Sequence, residues 1–205
     1  MARLLIYYAH PGHRRSHVNS EMARAVGGVD GISFVDLYAL YPRHDIDIDR
    51  EQERLLAHDV ILFQFPLFWY STPSIIKEWQ DLVLEHGFAY GLGGERLHGK
   101  TMMLAVSAAG PEEAYAQGGY QHFPLRTFLT PLEQTARLCG MRFAAPYVLY
   151  ASLLAPSDGR IPEHVDGYVR LIEAIRDDRY AFDRACTMDV ATARDLPIHE
   201  ATGHG

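Results

Sequence analysis

Between residues 7 and 24 the chain reads YYAHPGHRRSHVNSEMAR, setting His10, His13 and His17 around Arg14, Arg15, Ser16 and Asn19. Three chemistries suit such a set. Imidazoles are good zinc ligands and three could converge on one ion, but Pro11 and Gly12 bend the chain between the first two and the loop holds no carboxylate. The arginines alone would make a basic patch. The third chemistry is anion binding. A helix opening at Ser16, a favoured N-cap, would turn the unpaired N–H groups and the positive dipole end of its first turn toward the loop. Ser16 and Asn19 add neutral donors, and His10 adds a donor that can be cationic. A phosphate cradle therefore accounts for more of these residues than a metal site, leaving His13, Arg14 and Arg15 without a role. The loop spells neither GxGxxG nor GxxxxGK[ST], so it is neither a dinucleotide fingerprint nor a P-loop.

The elements that must position this loop follow from hydrophobic periodicity. RLLIYYA (3–9), GISFVDLY (31–38), VILFQFP (60–66), KTMMLAVSAAG (100–110) and RFAAPYVLYAS (142–152) read as strands. Helices are expected over 16–28, 49–59, 71–87, 124–140 and 162–182, with Thr72 as N-cap of the third and an irregularity at Pro131 in the fourth. Strands alternating with helices make an α/β fold, a doubly wound, five-stranded parallel sheet with helices on both faces. Ligands of such sheets sit beyond the carboxyl ends of the strands, which selects residues 10–19, 66–72 and 107–122. One domain over 1–182 is expected, followed by a tail over 183–205 that is either mobile or packed on a partner. No repeat or linker marks a second domain.

The second of these loops, PLFWYST, offers an apolar wall and backbone N–H groups suited to a flat ring. At this point the sequence resembles a known family. Ala9 and His10 followed by Ser16 and Asn19, then FPLFWYSTPSIIKEWQD and HGFAYG (86–91), are similar to the flavodoxin-like NAD(P)H:quinone reductases. Within that family the likeness is greatest to the ancillary subunits of bacterial glutathione-gated potassium-efflux antiporters. The resemblance implies a homodimeric flavoprotein that binds FMN, with FAD left open, and takes hydride from NADH or NADPH to reduce a quinone or similar electrophile by a ping-pong mechanism. It also implies an alternative or added role as a regulatory subunit docked on an antiporter. Residue by residue, His10, Ser16, His17, Val18 and Asn19 match the phosphate-binding segment, and Pro66, Leu67, Phe68 and Trp69 the segment along the flavin ring. Ser107, Ala108, Ala109 and Gly110 stand where many members have a TTGG-like loop, so one hydroxyl, at 108, and one glycine, at 109, are absent. Tyr115 matches a tyrosine that supports hydride transfer and quinone protonation. Gln121 occupies the place of the companion histidine, and His122 follows one position later.

Bulk properties fit this reading. The 205 residues are 48% hydrophobic and 22% charged, a globular balance. A net charge of −7 with only Lys77 and Lys100 as lysines argues against nucleic acid as a partner. Two cysteines make no disulfide framework, and no window reaches the roughly 20 apolar residues of a membrane span. A cytoplasmic protein is expected, peripheral at the inner membrane where an antiporter partner holds it.

Overall fold

A computed structural model describes residues 2–12 and 16–199; His13, Arg14 and Arg15 lie outside the described residues. In chain order the elements are β1 (Leu4–Tyr8), α1 (Val18–Val26), β2 (Ile32–Asp36), α2 (Leu37–Leu40), α3 (Ile48–Ala57), β3 (Val60–Pro66), α4 (Ser74–Val83) and β4 (Thr101–Ser107). There follow a 3-10 turn (Glu112–Tyr115), α5 (Leu125–Phe128), α6 (Thr130–Leu138), β5 (Arg142–Phe143), β6 (Tyr147–Leu149), α7 (Ala155–Asp158), α8 (Ile161–Arg176) and α9 (Phe182–Ala185). The sheet is parallel, in the order β2-β1-β3-β4-β5, with β6 also pairing β4. β1, β3 and β4 are buried along their whole length and read as mainly apolar runs without alternation, because both faces are covered. Their alternate residues feed two cores: Leu5, Tyr7, Phe63 and Leu104 meet Leu55 and Trp79 on one side, while Leu4, Ile6, Leu62 and Met103 meet Met22 and Ile172 on the other.

Several boundaries depart from the periodicity, each for a local reason. The first helix begins at Val18 with His17 at its cap position, and Ser16 serves it from one residue further out, its Oγ accepting the Ser20 N–H at 3.0 Å. Helix α4 is preceded by Pro73, not Thr72, because Pro73 is itself extended (φ −53°, ψ 146°). The helix expected over 124–140 is two, hinged at Leu129, with Pro131 in the first turn of α6, where a missing N–H costs nothing. The fifth strand is also two pieces on the same neighbour, interrupted around Pro146, which has no N–H for a ladder. The stretch from Asp183, expected as a loose or partner-bound tail, packs on the domain itself as far as it is described: Val148 N–H donates to Ala191 O and Ala191 N–H to Pro146 O, both at 2.8 Å. GERLHGKT (94–101) spells GxxxxGK[ST], but a P-loop leaves a strand and opens a helix. Here the segment runs into β4, and Lys100 Nζ donates to the carbonyls of Leu56 (3.3 Å) and His58 (2.6 Å).

Two buried polar groups constrain the packing. Glu51 of α3 is fully buried and accepts from the hydroxyl of Tyr7 on β1, from Tyr41 after α2 (2.6 Å), from the indole of Trp79 on α4 (3.1 Å) and from Arg54. Four elements therefore converge on one carboxylate. On the opposite face the His164 ring stacks on Tyr147 at 4.5 Å, and burial lowers its pKa to about 3.

Glu51→Ala strands an arginine and three neutral donors, so a loss of about 3–5 kcal/mol is expected in urea unfolding; a loss below about 1 kcal/mol would show that the cluster does not pin these elements. His164 predicts an acid sensitivity with a definite sign. Its folded pKa of about 3 lies below the ordinary 6.5, so the unfolded chain binds the extra proton between those values. The contribution is fully present above pH 6.5 and is lost as pH falls toward 3, at up to about 1.4 kcal/mol per pH unit. His164→Gln should flatten the stability–pH curve in that window, and an unchanged slope would refute the assignment.

Candidate active site

The loops after β1, β3 and β4 meet at the carboxyl edge of the sheet, beside the point where strand order reverses. In the first, His10 is buried and its Nδ1 accepts the Gly12 N–H at 3.1 Å, which places the proton of a neutral ring on Nε2. Its ring stands edge-on to Phe68 of the second loop at 5.8 Å. Asn19, in the first turn of α1, is 3% exposed and joins three elements. Its Nδ2 donates to Ser107 Oγ at the end of β4 (2.7 Å), and its carbonyl accepts from Gln64 Nε2 in the middle of β3 (2.8 Å). Gln64 is held in turn by the Tyr168 hydroxyl of α8 at 3.2 Å. Asn19 Oδ1, also buried, has no partner among the described residues. Buried acceptors are normally satisfied, so this one is suited to a donor from a bound molecule.

The second loop hangs from β4 through Leu67 N–H to Ser107 O (2.9 Å) and closes on itself through paired 3.0 Å bonds between Phe68 and Ser71. These bonds use the N–H groups of Leu67 and Phe68, so any anion contact from this turn falls to Trp69 and Tyr70. Both of those residues are left-handed, with φ of 49° and 64°. Such a conformation costs a side-chain-bearing residue roughly 1–2 kcal/mol. Trp69 is nonetheless 93% exposed, so strain is spent on presenting aromatic rings, a pattern that marks binding loops.

The third loop is laced to the end of β6: Ala108 N–H donates to Leu149 O (2.9 Å), Ala151 N–H to Gly110 O (2.8 Å) and Ser152 N–H to Ala108 O (2.9 Å). A Cβ on Gly110 would lie 3.1 Å from the Tyr115 ring, and one on Gly119 would lie 2.3 Å from Ala114 O. These two glycines therefore allow the loop to fold tightly around Tyr115. Tyr115 is buried against Phe128 and Tyr150, and burial raises its pKa, partly opposed by the Gly110 N–H. A cavity of about 160 Å³ opens beside it, between Leu67, Trp69 and Tyr70 on one wall and Ala109, Gly110 and Gln121 on the other.

The structure thus brings His10, Ser16, Val18, Asn19, Ser107, Ala108 and Gly110 to the buried edge, Pro66 and Leu67 to the turn's root, and Phe68, Trp69 and Ala109 to its open side. His17 is exposed at the helix start. Tyr115 lines the cavity together with Gln121, while His122 is exposed, with φ 64°, outside that lining. Sequence reasoning missed Gln64 and Tyr70 as site builders. A lone glutamine inside VILFQFP was the available signal for the first; Tyr70 was hidden within an aromatic run. Among the described residues no three His, Cys, Asp or Glu side chains gather as a metal site, and no helix is long and apolar enough to cross a membrane.

Comparison with known proteins gives this geometry a lineage. The chain is 42% identical over 148 residues to the glutathione-regulated potassium-efflux system ancillary protein KefG of Serratia proteamaculans (strain 568), covering 72% of this chain and 81% of that one. Among solved structures, general stress protein 14 of Treponema denticola, in complex with FMN, superposes with a TM-score of 0.79 at 32% identity, over 84% of this chain and 99% of that one. An NADPH-quinone reductase of P. pentosaceus matches with a TM-score of 0.70 at 27% identity, over 81% and 95%. A family model described as the flavodoxin-like fold matches residues 2–172, and the chain belongs to the flavodoxin-like fold family.

Proposed function

We propose that the protein is a flavin-dependent NAD(P)H:quinone oxidoreductase that holds FMN between its first and second loops. The observation that carries this reading is the buried Oδ1 of Asn19, without a partner among the described residues, at the strand-order reversal and one side chain away from Ser107. It is an acceptor for a hydroxyl of the flavin's sugar-alcohol chain. The first-turn N–H groups of His17, Val18 and Asn19, with His10 and Ser16, suit the phosphate. Pro66 to Trp69 and the backbone of Ser107 to Gly110 border the ring; the Ala108 N–H is already bonded to Leu149 O, so main-chain donation from this loop falls to Ala109 and Gly110. The FMN-bound and NADPH-quinone reductase relatives support the same cofactor and donor. When bound, FMN would supply the two-electron chemistry that links NAD(P)H to the acceptor.

The chain's own residues then have separable tasks. Trp69 and Tyr70 shield one side of the 160 Å³ slot from water, and Gly110 keeps its floor open to a flat substrate. Tyr115, kept protonated by burial, donates to the quinone oxygen. Gln121 orients that oxygen without changing charge, and His122, exposed one residue beyond Gln121 and outside the lining, exchanges protons between solvent and the loop that carries Tyr115. One slot serving donor and acceptor in turn makes the kinetics ping-pong. Exposed Phe68, Trp69, Tyr90, Leu92, Tyr120 and Phe123 favour a second copy of the chain as their cover. The likeness to an efflux ancillary protein favours a second role, docking on a potassium-efflux antiporter, which is compatible with the first.

Purified protein is expected to be yellow and to bleach with NADPH in the absence of oxygen; a preparation that takes up no FMN would overturn the reading. His10→Ala with Ser16→Ala should release FMN in equilibrium dialysis, while His13→Ala should not. Tyr115→Phe with His122→Ala should lower benzoquinone turnover about a hundredfold at unchanged FMN content, and an undiminished rate would remove both from the chemistry. Antiporter docking predicts raised potassium efflux on co-expression, abolished by substitution of the exposed aromatic face.

A further inference from the structure

A second cavity, about 330 Å³, lies across Tyr150 from the candidate active site. Its apolar wall is Val148, Leu149, Ala151 and Ala193, and its rim carries Glu112 and Glu113 of the 3-10 turn. Thr192, Ala193 and Arg194 close it from the C-terminal stretch, beyond the residues 2–172 matched by the family model. His164 lines it too. That ring is 3% exposed, and its Nε2 has no partner among the described residues.

The charges around the cavity are unequally matched. Arg160 is spent on Asp158 (2.9 Å) and on the carbonyls of Tyr150 (2.9 Å) and Ala151 (3.1 Å). Arg194 holds Glu163 through two bonds of 2.9 and 3.3 Å. Glu112 and Glu113 form no ion pair among the described residues, so the rim presents uncompensated negative charge over an apolar wall with one neutral, unsatisfied imidazole.

We propose that this cavity binds a small organic amine whose ammonium group meets Glu112 and Glu113, whose apolar body lies on Leu149 and Ala193, and whose neutral hydroxyl or amide satisfies His164. The site shares Tyr150 with Tyr115, whose rings pack at 5.7 Å, so an occupant rests against the wall of the candidate centre. The proposal does not depend on which reaction that centre performs.

Tyramine, with an aromatic body, a cationic end and a neutral hydroxyl, is the probe. Titration calorimetry on the full chain should give saturable binding, and the amide resonances of Thr192, Ala193 and Arg194 should shift with the same midpoint. Phenethylamine, lacking the hydroxyl, should bind more weakly, and 4-hydroxyphenylacetate, with the charge reversed, should not bind. Glu112→Gln with Glu113→Gln, both exposed and so safe for folding, should weaken tyramine by about fivefold or more. Absence of saturable tyramine binding, equal binding of the carboxylate, or affinity unchanged in the double variant would each overturn the site.

Discussion

Everything at the carboxyl edge of this sheet depends on one buried amide contact, Gln64 reaching from the centre of β3 to the carbonyl of Asn19. A glutamine in the middle of a fully buried strand is costly unless both ends of its amide are satisfied, and here Tyr168 and Asn19 satisfy them. The contact fixes the first turn of α1 against the sheet. Asn19 passes that constraint on to Ser107, and Ser107 to Leu67. Three loops far apart in sequence thereby share one rigid reference.

That rigidity explains how the turn at Trp69 and Tyr70 can remain in an unfavourable backbone region. Its root is tied to β4, its two ends bond each other, and Tyr70 leans on Phe128 at 4.9 Å. The scaffold over-determines the turn, and the rings project outward as a fixed surface. On the other face Glu51 performs a comparable task for α3 and α4, gathering donors from four elements where an apolar contact would leave their relative rotation free.

Much of this was legible in the residues. The apolar runs LLIYY, VILFQFP and TMMLAVS mark central strands because burial on both faces removes alternation. The Ser16 and Asn19 spacing marked a helix start facing the sheet edge. What periodicity could not convey was long-range satisfaction. That Asn19 would use Nδ2 on a serine 88 positions away and leave Oδ1 without a partner among the described residues depends on strand order. Proline's effects were visible in kind but not in place: Pro73 and Pro146 moved boundaries by fixing their own backbone or withholding a donor. Gln121 lines the cavity from the position the resemblance assigns to the histidine, while His122, at φ 64°, falls outside that lining.

The return of the chain along β6 has a consequence for assembly. A short strand beside β4 would ordinarily offer a row of unpaired amides to any passing chain. Ala191 occupies that row, bonded to both Val148 and Pro146. Strand addition along β6 is thus blocked by the chain itself, because the positions another strand would take are already bonded to Ala191.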